Sequence, residues 1–142
     1  MPSSSSSNQY TQYLTEYLLR GTTFTRPTNG IWVALYTTVP QLDGTGGVEV
    51  STAGTGYQRV QIPDAGWTGP SGTNLQYSNT NVLTFSVPTG NWGTIVGSGL
   101  MDAQTGGNLI YICYSTTPKT ISLGDGAAQI PANSIIVQRA TC

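Results

Sequence analysis

The spacing of apolar side chains changes near residue 30, and each side of that point predicts a different element. Between Gln9 and Arg20 the apolar residues recur at helical spacing, which places them on one face of a short helix. The residues of this stripe are Tyr10, Tyr13, Leu14, Tyr17 and Leu18. The stripe docks either on the chain's own domain or on a neighbouring subunit, and the pattern slightly favours the domain.

The residues that flank this helix predict its ends. Ser6 or Asn8 supplies a side-chain oxygen to cap the first turn, and Gly21 suits the left-handed conformation that follows the last. The serine run before the helix has low complexity, and we expect it to be flexible unless a partner orders it. We therefore predict a flexible N-terminal arm, residues 1–8, and a single domain, residues 9–142, that includes the helix at 9–20.

From Gly30 onward the apolar positions alternate with the period of strands. In residues 31–37 both alternating sets are apolar, which predicts a strand that is covered on both faces. Short segments separated by Gly, Pro and Asn turns predict an all-β fold, an antiparallel β-sandwich of jelly-roll type behind one short helix. The further predicted strands are 48–51, 57–62, 74–78, 82–87, 94–102, 108–114, 119–123, 129–130 and 134–138.

Glycines interrupt the strand that is predicted at residues 94–102. Gly97 and Gly99 fall on one face, and glycine inside a strand marks a bulge or the close approach of a bulky group. We expect an aromatic ring there, with Trp92 and Tyr111 as the candidates. The glycine-containing residues that follow this strand, 103–107, predict a hairpin.

Two loose loops, residues 40–47 and 66–73, are long enough to reach a neighbouring molecule. Trp67 lies in the second loop, and the sequence supports a contact role and a core role equally. Trp32, by contrast, falls within an apolar strand and is predicted to pack in the core. The complete set of interface candidates is Tyr10, Tyr13, Tyr17 and Trp67.

The composition lacks most of the side chains that enzymes use for catalysis. The 142 residues include no histidine, and charged residues make up 8%, against about 25% in an ordinary soluble domain. Histidine is the usual acid or base near neutral pH and the commonest metal ligand. A net charge of -1 without any Lys/Arg run argues against a nucleic-acid partner. The sequence also has no apolar stretch long enough to predict contact with a membrane. A surface so poor in charge favours association with other subunits.

The remaining candidates for chemistry have the wrong surroundings. Ser98 lies between two glycines, but the longer Gly-x-Ser-x-Gly elbow and a histidine base are missing. Most of the carboxylates, such as Asp43 and Asp125, stand in turn sequences, where an aspartate usually accepts local backbone hydrogen bonds. Residues 43–49 offer oxygen ligands without EF-hand spacing. We predict no catalytic residue, no metal site and no cofactor, and therefore a protein that is not an enzyme.

The two cysteines do not have metal-ligand spacing. Cys113 lies in an apolar strand pattern and is predicted to be a small core residue. Cys142 is the last residue, and the sequence leaves open a disulfide between the two, which a cytoplasmic site of synthesis disfavours. We expect cytoplasmic synthesis because the first residues lack the basic start and apolar run of a signal peptide.

Six short motifs follow one another along the chain. They are YLTEYLLRGT at 13–22, IWVALYT at 31–37, VEVS at 48–51, GYQRV at 56–60, NWGTI at 91–95 and DAQTGGNL at 102–109. In this order they resemble a family of small virion proteins of tailed bacteriophages, over about residues 13–137. The resemblance implies a structural role in the virion, as a capsid decoration (cement) protein or a tail-fibre protein, and supplies no catalytic residues. The serine-rich leader departs from the family's pattern.

Two hypotheses follow. The first is a capsid decoration protein, a homotrimer on the outer surface of the capsid that bridges subunits of the major capsid protein. Its N-terminal arm would cover a seam between those subunits, and several arms together would strengthen attachment. The second is a tail-fibre or tail-tip component that binds tail proteins and contacts a host glycan through Trp67. Both hypotheses place the protein in the virion after synthesis in the host cytoplasm.

Overall fold

A computed structural model describes residues 4–27 and 30–138, and it confirms an all-β protein with one helix near the N-terminus. The helix, α1, spans Asn8–Arg20, and a short 3-10 turn spans Asp64–Gly66. The strands are β1 (Ser4–Ser6), β2 (Ile31–Thr38), β3 (Val48–Glu49), β4 (Val60–Ile62), β5 (Trp67–Ser71), β6 (Gln76–Asn79), β7 (Leu83–Thr84), β8 (Gly93–Met101), β9 (Leu109–Ile121), β10 (Gln129–Ile130) and β11 (Ile136–Val137).

The larger layer is an antiparallel sheet of six strands in the order β1-β9-β8-β2, with β3 and β4 pairing to successive stretches of β2. Two smaller antiparallel sheets, β7-β10 and β5-β6-β11, supply the opposing apolar surface. Phe85 and Ile135 from the smaller layer share one buried core with Val33 and Leu35 of β2. This sandwich-like arrangement confirms the predicted fold class.

The alternation of side chains along β2 explains where the buried regions lie. Val33 and Leu35 enter the main core, whereas Ala34 and Tyr36 belong to a second buried cluster. Successive residues of a strand point to opposite faces, so the two clusters lie on opposite sides of the sheet. The second cluster also contains Met101, Leu109 and Ile112. Both faces of this strand are therefore covered, as its two apolar sets predicted.

Three aromatic rings form the centre of the main core. Tyr57 stacks on Phe85 with ring centroids 6.4 Å apart, and Trp92 meets Tyr57 edge-on at 5.3 Å. The hydroxyl of Tyr57 accepts the backbone N–H of Leu35 at 2.9 Å, and Nε1 of Trp92 donates to the carbonyl oxygen of Thr55 at 2.8 Å. We call Tyr57, Phe85 and Trp92 the aromatic centre. Its buried polar atoms all have partners.

One arginine ties this centre to the predicted hairpin. Nε and Nη2 of Arg59 donate to the two carboxylate oxygens of Glu49 at 2.9 and 2.8 Å, and Nη1 donates to the carbonyl oxygens of Ala103 and Gly106 at 2.8 Å each. Tyr57 donates its hydroxyl to the same carboxylate at 2.9 Å. We call these contacts the Arg59 clamp. They hold the β8–β9 hairpin, which confirms the prediction for that turn.

The glycine face of β8 accommodates an aromatic ring, but not one of the two predicted. A Cβ placed on Gly99 would lie 2.7 Å from Cε2 of Tyr36. Tyr36 pairs with Gly97 on the adjacent strand, so its ring reaches Gly99 as a diagonal neighbour. Trp92 and Tyr111 were wrong candidates because a cross-strand residue on β2 already fills this space. The other alternative, a bulge, is present as well, since the register shifts between Ile95 and Gly97.

β9 is longer than predicted. The sequence predicts two strands on either side of residues 115–118, whereas the structure has one strand. Tyr114 pairs with Gly97 and Lys119 pairs with Ile95, so the intervening residues of β9 bulge outwards. Residues 115–118, which the sequence places between two strands, form a bulge within one strand, because backbone pairing with β8 resumes after them.

The loop predicted at residues 66–73 is also wrong in part. β5 pairs with β6 from Trp67 onward, and its register shifts before Ser71. Gly69 and Pro70 occupy the irregular stretch, and these two residue types gave the segment its loop-like pattern.

The serine segment lies against the sheet instead of outside it. Ser4–Ser6 pairs antiparallel with residues 111–113 of β9, and the N–H of Ser7 donates to the carbonyl oxygen of Ile110 at 2.7 Å. The outer edge of β9 offers backbone groups that bond to an extended segment whatever its side chains, which the side-chain pattern does not reveal. The division of the chain into arm and domain stays a prediction.

Candidate functional site

Residues adjacent in the sequence cap both ends of α1. The backbone N–H of Tyr10 donates to Oγ of Ser7 at 3.3 Å, so the N-cap is Ser7 and the predicted caps Ser6 and Asn8 are wrong. Ser7 takes this place because its bond to β9 holds it extended where the helix begins. Gly21 adopts the left-handed conformation with φ of 67°, which confirms the predicted C-terminal residue.

Tyr10 fastens α1 to the sandwich. Its side chain is buried in the main core, and its hydroxyl donates to Oδ2 of Asp102 at 3.1 Å. Its ring meets Tyr13 and Phe24 edge-on, with ring centroids 5.7 Å apart in both pairs. Burial, and then the nearby Asp102 carboxylate, raise the pKa of Tyr10 well above its ordinary value. This tyrosine therefore packs within the subunit.

The remainder of the stripe turns progressively away from the sandwich. The exposed fraction rises along the helix from 37% at Tyr13 through 46% at Leu14, 56% at Tyr17 and 77% at Leu18 to 78% at Leu19. We call Tyr13, Leu14, Tyr17 and Leu18 the outer α1 face; Leu19 lies on the opposite side of the helix. Apolar surface in water is unfavourable, so a surface of this size is a candidate for contact with another molecule.

The outer α1 face has few charges near it. Glu16 is half-buried and accepts a hydrogen bond from Nε2 of Gln12 at 2.9 Å, and Arg20 lies in the last turn. A cation at this end complements the helix dipole, so Arg20 has a role within the helix itself. The outer α1 face is therefore chiefly apolar and aromatic.

Trp67 is directed towards the interior of the subunit. It is half-buried, packs against the main core, and lines a small apolar cavity of about 190 Å³ with Tyr77 and Tyr111. Trp32 is also half-buried and packs against the second cluster, in agreement with its predicted core role. Contact between Trp67 and a host glycan stays a prediction.

A larger groove of about 620 Å³ opens between the bulge of β9 and residues 128–136. Phe85, Ile95 and Ile121 contribute apolar surface, and hydroxyl and amide side chains together with Lys119 line the remainder. The groove has room for a short peptide or sugar. The sequence carries no signal for it, because its walls come from segments that are far apart in the chain.

The carboxylates hold local structure. Glu49 belongs to the Arg59 clamp, Asp64 pairs with an exposed arginine, and Asp102 accepts a backbone N–H of the hairpin at 2.7 Å. Asp43 and Asp125 accept backbone N–H groups of their own turns at 2.9 and 2.7 Å, which confirms the turn interpretation. Within residues 4–27 and 30–138, no group of three His, Cys, Asp or Glu side chains is arranged to hold a metal ion.

Ser98, the serine between two glycines, lies opposite Cys113 in the sheet. Ser98 of β8 pairs with Cys113 of β9, and both are buried. Burial raises the pKa of the Cys113 thiol to about 12, although a hydrogen bond with Ser98 lowers it. A protonated thiol is a poor nucleophile, and Cys113 packs in the main core, which confirms its predicted role as a small core residue. Cys142 lies outside the described residues, and its pairing with Cys113 stays a prediction.

The predicted interface residues thus separate into two sets. Tyr10 and Trp67 pack within the subunit, whereas Tyr13 and Tyr17 belong to the outer α1 face. Helical periodicity groups the tyrosines but does not tell which turn of a helix docks. Leu19 is also exposed, but it lies outside the periodic stripe, on the side of the helix opposite Tyr10.

Comparison with known proteins gives one family. A family model described as "Podophage GP4 fiber I protein gp80" matches residues 5–138. No curated protein matches the chain. Among the described residues, no helix has the length and apolar character needed to cross a membrane. The match spans nearly the whole chain and confirms the resemblance to phage virion structural proteins. The chain belongs to this family of podophage fibre proteins.

Proposed function

We propose that the chain is a non-enzymatic structural subunit of a phage fibre, carried on the tail of the virion. The observation that carries this proposal is the family match over residues 5–138, which takes in α1 as well as the sandwich. This finding reverses the order of the two hypotheses from the sequence, since the fibre role now comes before capsid decoration.

The side chains support a structural role. Glu49 is bound to Arg59, and Asp43, Asp102 and Asp125 each accept hydrogen bonds that hold turns or the hairpin. Such carboxylates are committed to local contacts, so they are poor candidates for proton transfer to a substrate. The proposed function is therefore mechanical: the sandwich is a rigid body that presents surfaces to other virion proteins.

Capsid decoration is the second candidate. α1 has 13 residues and spans about 20 Å, and the rest of the described chain is a sandwich without an extended shaft. A homotrimer that bridges subunits of the major capsid protein needs no shaft. This shape is the observation that favours decoration.

Binding to separated heads and tails distinguishes the two candidates. Labelled protein is mixed with heads, and separately with tails, from particles that lack it; each is pelleted and the bound copies are counted. An excess of unlabelled protein controls for saturable binding. We expect a small fixed number of copies on tails and none on heads. Many copies on heads and none on tails would overturn the fibre proposal in favour of decoration.

The non-enzymatic part of the proposal has a separate test. The protein is incubated with polysaccharide from the host surface, and newly formed reducing ends are measured against a heat-unfolded sample. We expect no difference between the two. Release by the folded protein alone, lost in the variant Asp64→Asn, would contradict a purely structural role.

A further inference from the structure

We propose that β1 and α1 together form a releasable strap, which opens from the sandwich as one unit while the sandwich stays folded. We call residues 4–20 the strap. This inference goes beyond the proposed function, since it concerns a second conformation of the subunit and holds for a fibre subunit and for a decoration protein alike. It rests on the burial of the strap's side chains, on the way in which its two elements are joined and on the segment that follows it.

The strap contributes little to the main core. Tyr10 is the one residue of 4–20 that belongs to this core, whereas β2, β8 and β9 each supply more than one residue to it. β1 consists of three serines and pairs with β9 through its backbone. Backbone hydrogen bonds add little net stability, because the released groups bond to water instead. Release of the strap therefore costs much less free energy than unfolding of the sandwich.

β1 and the first turn of α1 are joined, so they open together. Ser7 caps α1 through its Oγ, and its N–H donates to the carbonyl oxygen of Ile110 at 2.7 Å. The N–H of Asn8 donates to the carbonyl oxygen of Leu42 at 2.8 Å. With the buried ring of Tyr10, these contacts to the sandwich lie within a few consecutive residues. The loss of one contact therefore weakens the others.

The segment after the strap permits this motion. Gly21 ends α1 in the left-handed conformation, and residues 21–27 contain no helix or strand. Such a segment absorbs a change of dihedral angles without breaking a sheet. Release would leave the outer edge of β9 at residues 111–113 without its partner, and an unpaired edge is a surface to which another extended segment can add. The open form therefore exposes a sheet edge that the closed form covers.

Hydrogen exchange of the full chain, followed by NMR, distinguishes release of the strap from unfolding of the sandwich. The N–H groups of Ser7 and Asn8 report on the strap, because their acceptors lie outside it, and those of β2 and β8 report on the sandwich. We expect the two strap amides to exchange at least about tenfold faster than those of β2 and β8, each relative to its intrinsic rate.

A core substitution shows whether the two openings are separate. Phe85→Leu should speed exchange in β2 and β8 at least about tenfold and change the rates of Ser7 and Asn8 by less than about twofold, because release of the strap leaves the aromatic centre intact. Val87→Ala is the matched control, since it changes an exposed residue of the same segment, and it should alter neither set of rates.

A cross-link tests the position of the strap. Ser4 of β1 lies opposite Cys113 of β9, and facing residues of adjacent antiparallel strands are close enough for a disulfide. Ser4→Cys, in a chain that also carries Cys142→Ser, should form this disulfide on mild oxidation. Ser7 and Asn8 should then exchange at least about tenfold more slowly than in the reduced form of the same variant, which is the control.

Three results would overturn the proposal. The first is equal exchange of the strap and sandwich amides, with an equal increase in both on Phe85→Leu, since the subunit would then open only as a whole. The second is an oxidised cross-linked variant that exchanges as fast as its reduced form. The third is a disulfide that does not form, because β1 would then not lie on β9 as the strap requires.

Discussion

The aromatic centre and the outer α1 face are both rich in large apolar side chains, but they differ in what surrounds them. Tyr57, Phe85 and Trp92 are almost fully buried, and in the described chain no buried side-chain nitrogen or oxygen lacks a hydrogen-bond partner. Tyr17 and Leu18, in contrast, are more than half exposed. The centre is fully packed within one subunit, whereas much of the helix face is exposed to solvent.

This difference separates contacts that stabilise the folded subunit from a surface that is exposed to solvent. Substitutions in the aromatic centre or the Arg59 clamp should lower the free energy of unfolding, because they remove contacts that the isolated subunit makes. Substitutions on the outer α1 face should leave that free energy nearly unaltered, because the replaced side chains are largely exposed.

The largest effect is expected at the aromatic centre. Phe85→Ala should lower the free energy of unfolding by about 4 kcal/mol, since it removes a buried ring that packs on Tyr57 and Trp92. Val87→Ala changes an exposed residue two positions further along the same segment and should cost about 0.5 kcal/mol or less. Urea denaturation measures both. Equal losses in the two variants would contradict the proposed position of the core.

The next largest effect is expected at the Arg59 clamp. Arg59→Ala should cost about 3 kcal/mol, because the Arg59 side chain is 7% exposed and its loss removes four hydrogen bonds and the cation beside the partly buried Glu49, which keeps the Tyr57 hydroxyl. Arg26→Ala removes an arginine from the pair with Asp64, whose side chains are 66% and 52% exposed, and should cost less than about 1 kcal/mol. Urea denaturation of both variants gives the comparison. A clamp variant as stable as the surface variant would show that the hairpin does not depend on Arg59.

The same two regions show how far sequence analysis reaches. The helix and the main strands were predictable because their apolar residues recur at the period of each element, and β2 shows both faces of its alternation. β5 was not predictable, since Gly69 and Pro70 interrupt its pattern, and neither was the pairing of Ser4–Ser6, which depends on backbone groups alone. Periodicity describes one helix or strand at a time. It carries no information about unpaired backbone groups at the edge of a strand elsewhere in the chain.

The exposed part of the helix stripe was predictable in kind but not in extent. The tyrosine stripe was visible in the sequence. Which of its residues are buried and which are exposed depends on how the first turn of the helix is attached to the sheet. That attachment consists of the bonds of Ser7 to β9 and of Tyr10 to Asp102. Both bonds join residues about a hundred positions apart, and no local pattern reports them.

A smaller effect is expected at the glycine face of β8. Gly99→Ala should cost about 2 kcal/mol, because the added Cβ would lie 2.7 Å from the ring of Tyr36 and 3.1 Å from Leu109. The control is Gly126→Ala, where an added Cβ meets no atom within 4 Å and the stability should stay the same or rise by up to about 1 kcal/mol. Thermal unfolding of both variants tests the contact. Equal stability would show that Tyr36 moves aside at no cost.

The smallest effect is expected at Tyr10, where the two regions meet. Tyr10→Phe removes the hydrogen bond to Asp102 and should cost about 1 kcal/mol at neutral pH, while Tyr17→Phe, which alters an exposed ring, should cost nothing measurable.

The pH dependence of the Tyr10→Phe effect has a definite sign. The pKa of Tyr10 is raised in the folded protein, whereas a tyrosine in the unfolded chain ionises near about pH 10. Above that pH the unfolded wild type releases this proton and the folded wild type keeps it, so wild-type stability falls as pH rises. The other tyrosines titrate alike in both proteins, so the stability gap between wild type and Tyr10→Phe should shrink from neutral pH to about pH 10.5. Urea denaturation at the two pH values measures it, and a constant or widening gap would mean that Tyr10 is not buried against Asp102 and that α1 docks in another way.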